Sequence, residues 1–220
     1  MNNMLIFGMG YTAQALAGHL RARGWTVRGT GSAGDIAFAD GPAVRQALAE
    51  ATHVLSSVPP MRDGGDPVLD AYGADLAASG AQWIGYLSST GVYGDAGGAW
   101  VDESAPVGRG RRTARAEADL GWLALDARVR VFRLPGIYGP GRSALDRVAG
   151  GKAHRIAIAD QVFSRVHVDD IASGVIASFG GPAGAYNLAD DLPCSQNAVI
   201  EEAARLLGCA PPPLQSLEEA

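Results

Sequence analysis

Apolar runs of strand length alternate with longer, alanine-rich stretches of helical period through the first 140 or so residues. No other feature restricts the architecture so tightly. MLIFG (4–8), TVRGT (26–30), HVLSSV (53–58), WIGYLSS (83–89) and VRVFRL (129–134) read as buried strands, and helices are expected near 11–23, 42–50, 66–80 and 112–126. Strand and helix in turn make βαβ units, so the fold class is α/β, a doubly wound parallel sheet of the Rossmann kind.

Gly-rich or polar breaks separate these elements: GSAGD at 31–35, RDGG at 62–65 and GDAGGAW at 94–100. The second stands where a mobile loop can cover a cleft, but its composition suits an inert surface loop better. Beyond about residue 140 the alternation fades, and only a closing helix around 195–207 is expected, with no terminal element after it. The expected division is therefore a Rossmann domain over 1–140 and a small α/β substrate-side lobe over 141–220, interleaved with the first and not independent.

A chain of 220 residues, 47% hydrophobic and carrying a net charge of −5, buries a full core and has no general attraction for phosphate backbones or anionic membranes. No nucleic-acid partner is expected. Cys194 and Cys209 lack metal-site spacing and do not make a disulfide scaffold, so no metal is expected either. The opening MNNMLIFGMG has no basic leader, and its apolar run breaks at Gly8, which fits neither a signal peptide nor a membrane span. A cytoplasmic protein without a membrane partner is the expectation.

Between the first strand and the first helix, Gly8, Gly10 and Ala13 form a GxGxxA pattern. Gly8 permits the tight turn, Gly10 lets main chain approach a diphosphate, and Ala13 lets helix and strand pack closely. The helix N-terminus then offers unpaired N–H groups and partial positive charge, so Gly8, Met9, Gly10, Tyr11 and Thr12 are candidate dinucleotide contacts. An acidic residue after the second strand would accept from the 2′-hydroxyl of NAD. Gly31 occupies that position, Ser32 follows, and the nearest carboxylate is Asp35. A 2′-phosphate is admissible there, with Ser32 and Arg28 as donors, which favours NADP over NAD. Asp40 is placed either against the adenine amine or as a solvated loop acid. Val58, Pro59 and Pro60 end a buried strand at its carboxyl edge, where ligands bind in open parallel sheets.

Together GMGYTA (8–13), YLSSTGVYG (86–94), FRLPGIYGPGR (132–142), VHVDDIA (166–172) and YNLADDLP (186–193) resemble, in order and through nearly the whole chain, the extended short-chain dehydrogenase/reductases, the NAD-dependent epimerase/dehydratase family. The resemblance implies an NAD(P) cofactor and a small-molecule substrate. It implies a catalytic hydroxyl at Ser89, beside Thr90, and cofactor contacts at Val58, Pro59, Ser88 and Pro135. That family also uses a Tyr and, four residues on, a Lys, the ammonium lowering the Tyr pKa. In RGRRTARAE (109–117), counting back from Glu117, Arg109 stands at the Tyr position and Thr113 at the Lys position. The resemblance narrows to an atypical subgroup without the pair. Arg stays protonated and shuttles protons poorly, but it grips carboxylate or phosphate well. Arg109, Arg111, Arg112 and Arg115 therefore read either as an anion grip, which makes an anionic substrate attractive, or as a solvated helix face. Tyr93 and Tyr138 belong to loop-shaping YG pairs, His167 reads as a structural lock, and Asp169 and Asp170 as helix caps. Two functions suit these residues: an NAD(P)-dependent reductase, epimerase or dehydratase, or a non-catalytic dinucleotide-binding sensor. Related proteins pair through the helices after strands four and five, which would make a homodimer here.

Overall fold

Every strand of the main sheet ends at the same edge, because each is followed by a segment that returns over one face or the other. A computed structural model of the chain describes residues 2–108 and 113–218. Its elements in order are β1 (Asn3–Phe7), α1 (Tyr11–Arg21), β2 (Thr26–Gly29), α2 (Gly41–Glu50), β3 (His53–Ser56), α3 (Pro67–Ala78), β4 (Trp83–Ser89), α4 (Thr113–Leu125) and β5 (Val129–Leu134). There follow β6 (Gly136–Tyr138), α5 (Ala144–Ala149), β7 (Arg155–Ile156), β8 (Arg165–His167), α6 (Val168–Ala177), β9 (Gly184–Asn187), α7 (Gln196–Leu207) and β10 (Leu214–Gln215).

The main sheet has strand order β2-β1-β3-β4-β5-β9, all parallel. Its central strands are apolar on both faces because helices cover both. Leu5, Phe7, Val54, Ile84, Tyr86, Val129 and Val131 pack against Val44, Val68, Tyr72, Leu76 and Trp122 of α2, α3 and α4. The alternate residues, Met4, Ile6, Leu55, Trp83, Leu87, Phe132 and Leu134, pack against Leu16, Leu20, Ile171 and Val175 of α1 and α6. This is the fold expected from the alternation. Strand order reverses between β1 and β3, which opens a crevice at their carboxyl ends.

The short elements β6, α5, β7, β8, β9 and β10 go beyond the sequence reading. The sixth strand, β9, lies in GAYN, whose four residues are all half-buried, so it shows neither the continuous apolar run nor the alternation that marks a strand. A short β10 follows the closing helix and pairs with β7, where no terminal element was expected. Of the segment after residue 140, β9 and α6 join the main sheet and its helical layer, while α5, β7, α7 and β10 stand beyond it. Among the described residues no helix is long and apolar enough to cross a membrane.

Candidate functional site

The turn from β1 into α1 is held open by three neighbours. Gly8 has φ +83°, and a Cβ there would come within 2.9 Å of Val58 Cγ2, so both backbone and space demand glycine. The Gly8 amide donates to Thr30 Oγ1 at 3.1 Å, the Met9 amide to the Thr30 carbonyl at 2.8 Å, and the Ser57 hydroxyl to the Gly8 carbonyl at 2.5 Å. Thr30, 1% exposed, thus orients two amides of the loop; sequence reasoning missed it, and a lone Thr at a strand end gives little signal. Gly10 is the N-cap of α1 and has no side chain with which to cap it. A Cβ on Gly10 would meet nothing within 4 Å. The first turn contains no acidic residue, so Tyr11 and Thr12 present their amides with no internal anion to satisfy them. Ala13 is fully buried under the loop.

Beyond β2, Gly31 turns with φ +103° close to the Met9 amide, and Ser32 is exposed. Asp35 folds back onto the edge strand: its carboxylate accepts from Arg28 Nε at 2.9 Å and from the Gly29 amide at 2.8 Å. Burial opposes its ionisation, but these donors outweigh it and hold the carboxyl below the usual range. Arg28, one of the expected donors, is therefore engaged within the chain. Asp40 is exposed and caps α2, one carboxylate oxygen accepting from the Ala43 amide at 3.1 Å.

At the carboxyl edge, half-buried Val58 and exposed Pro59 follow β3, Ser89 ends β4, and half-buried Pro135 follows β5. Ser89 Oγ accepts from the Gly91 amide at 3.1 Å and so caps a short 3₁₀ turn, which leaves its own hydrogen to donate. Ser88 points the other way. It is buried, and its hydroxyl donates to Asp119 Oδ2 of α4 at 2.7 Å. Any cofactor contact at Ser88 is left to its main chain.

Asp119 anchors a buried network that sequence reasoning did not see. Arg133 of β5, 3% exposed in its side chain, pairs with the wholly buried Asp119 at 2.8 Å. It also donates to the Tyr93 hydroxyl at 2.9 Å and the Glu103 carbonyl at 3.2 Å. Tyr93 in turn donates to Asn187 Oδ1 at 2.7 Å, and the Asn187 amide to the Glu103 carboxylate at 2.7 Å. The chain brings these together because Ser88, Arg133 and Asn187 are register partners across β4, β5 and β9 and share one face of the sheet. Tyr93 is thereby a structural tie.

Arg109, Arg111 and Arg112 lie outside the described residues. Thr113 opens α4 and is exposed, while Arg115 is half-buried. The Glu117 carboxylate lies 4.0 Å from where a Cβ on Gly64 would sit, which brings the 62–65 loop beside α4. His167 is the N-cap of α6, its Nδ1 accepting from the Asp169 amide at 3.2 Å, and its ring meets Tyr138 edge-on at 5.2 Å. The capping role expected of Asp169 and Asp170 thus falls to His167, whose backbone is extended as an N-cap requires; Asp169 instead pairs with His19 of α1 at 2.9 Å. Burial, then the nearby Asp190, raises the Tyr138 pKa and keeps that hydroxyl protonated. Among the described residues no group of three or more His, Cys, Asp or Glu could hold a metal ion.

No family model matches the chain. It is 29% identical to Protein YeeZ of Escherichia coli (strain K12) over 240 residues, covering 96% of this chain and 86% of that protein. A conserved protein of unknown function from Silicibacter pomeroyi DSS, whose structure has been solved, is 39% identical, with a TM-score of 0.87 over 100% of this chain and 83% of that one. The dTDP-glucose 4,6-dehydratase of Bacillus anthracis str. Ames, crystallised in complex with NAD, superposes with a TM-score of 0.77 at 16% identity, over 98% of this chain and 85% of that one. The arrangement of sheet and helices is thus the fold of that NAD-bound dehydratase.

Proposed function

Because the chain belongs to one family with the conserved Silicibacter pomeroyi protein and has the epimerase/dehydratase fold, we propose that it binds a nicotinamide dinucleotide and acts as an atypical short-chain reductase, epimerase or dehydratase on a small polar, anionic substrate. The observation that carries this reading is the uncapped start of α1 at Gly10, where a Cβ would meet open space and the first turn has no acid. That cradle fits a diphosphate, which amides and the helix dipole satisfy together. When bound, the cofactor supplies hydride transfer at its nicotinamide ring.

The chain's own residues have the following parts. Gly8, Met9, Gly10, Tyr11 and Thr12 line the diphosphate cradle. Ser32 meets the ribose, and the absence of a carboxylate at Gly31 favours NADP over NAD, Asp35 being held by Arg28 and the Gly29 amide. Val58, Pro59, the Ser88 main chain and Pro135 flank the nicotinamide side. Ser89 donates its free hydrogen to a substrate oxygen, and Arg115, with the arginines before it, holds the anionic group. With Arg109 and Thr113 in place of Tyr and Lys, no such pair tunes a proton here. That loss favours the second reading, a non-catalytic dinucleotide-binding sensor.

The decisive measurement is calorimetric titration of NADPH and NADH into wild type and Gly10→Asp. The site has room for the new side chain, so the variant should melt like wild type and lose both ligands. Equal binding by the two proteins overturns the cradle. Enzyme and sensor are then separated by a cofactor-bound crystal structure: the enzyme requires an ionisable group within about 3.5 Å of a substrate set against the nicotinamide.

A further inference from the structure

The tight turn at residues 139–142, which follows β6, touches the start of α1. The Gly139 and Arg142 main chains bond reciprocally at 2.9 and 3.3 Å. The Tyr11 hydroxyl, from the first residue of α1, donates to the Pro140 carbonyl at 3.1 Å. A side chain at Gly139 would force the turn away: its Cβ would sit 2.6 Å from Tyr11 Oη and 2.7 Å from Val168 Cγ1. The turn is therefore seated on Tyr11, and its last residue puts the Arg142 guanidinium carbon 5.6 Å from the centre of the Tyr11 ring. Arg142 is exposed, and among the described residues its side chain has no carboxylate or hydrogen-bond partner. A free, forked cation is thus held one side chain away from a helix start that itself lacks an anion.

We propose that Arg142 is a side-chain ligand of the cofactor diphosphate, held by Tyr11 against the phosphates opposite the Tyr11 and Thr12 amides. The proposal rests on the reading of the α1 cradle given above and adds to it a contact from the segment beyond the five-strand core. Guanidinium and phosphate match as a bidentate pair, and the flat Tyr11 ring presets the orientation of the fork. A consequence is that dinucleotide binding steadies the turn at 139–142 and, through the capping box at Ser143 and Asp146, the start of α5.

The test compares wild type, Arg142→Ala and Gly10→Asp by calorimetry with NADH, ADP and adenosine, the last lacking phosphate. Arg142 touches no core residue, so Arg142→Ala should keep the wild-type melting temperature. Its affinity for NADH and ADP should fall about ten-fold, with adenosine unchanged. ADP binding to Arg142→Ala as tight as to wild type, while Gly10→Asp loses it, overturns the Arg142 contact alone. An equal loss for adenosine overturns its assignment to the diphosphate. Wild type binding neither NADH nor ADP overturns this proposal and the cradle together.

Discussion

Gly8 and Gly10 stand two residues apart in one motif, yet the structure asks different things of them. Gly8 is needed for the fold: its φ of +83° and the Val58 methyl at 2.9 Å leave no place for a Cβ. Gly8→Ala should therefore destabilise the protein by about 1–3 kcal/mol in urea denaturation; an unchanged midpoint would show that the loop relaxes freely. Gly10 has open space above it, so Gly10→Asp is a binding test rather than a folding test. The motif was legible in the sequence because its spacing is local. The Asp119–Arg133 pair was not, since its partners come from α4 and β5 and meet only through the register of the sheet. Both charges are buried, so Asp119→Asn, which strands Arg133, should cost about 3–5 kcal/mol. The double replacement Arg133→Met with Asp119→Leu should recover part of that loss, as measured by the same denaturation. No recovery would mean that the pair stabilises through the hydrogen bonds to Tyr93 and Glu103 rather than through its charges.

At the scale of elements, β3 begins with a titratable ring in an apolar place. His53 lies among Trp25, Trp83 and Phe179, with ring centres 4.7, 6.0 and 4.6 Å away. Burial, and then the charge of Arg130, push its pKa down from 6.5 to about 4. Between those values the unfolded chain binds a proton that the folded chain refuses. This contribution is whole above pH 6.5 and drains away as the pH falls toward 4, at no more than about 1.4 kcal/mol per pH unit. The lowered carboxylates Asp35, Asp126, Asp169 and Glu202 act at still lower pH. Stability of wild type should therefore slope downward across that window, and His53→Gln should flatten it. Parallel profiles for the two proteins would show that the ring is solvated. The strand itself was readable from HVLSSV, as were β4, β5 and all four helices between β1 and β5, because each is a continuous periodic run. What that run could not reveal is which side chain at its end is starved of water.

Across the whole molecule, the segment after residue 140 completes what the earlier residues begin. β9 pairs with β5 through four registered residues, and Ile171, Ala172 and Val175 of α6, each at most 1% exposed, cover α1. Removing them would bare the apolar outer edge of β5 and one face of α1. A chain ending at residue 140 should accordingly lack a cooperative thermal transition, and sharp unfolding of such a fragment would show that the five-strand core suffices. The sequence by itself determined the sheet-forming runs, the helices between them and the glycine turn, because each depends on the order and period of neighbouring residues. The tertiary structure alone decided that Ser88 turns to Asp119, that Arg28 is held by Asp35, that GAYN is a sixth strand and that Arg142 reaches the start of α1. Those outcomes depend on which distant backbones lie side by side, a matter of register and burial that residue spacing does not encode.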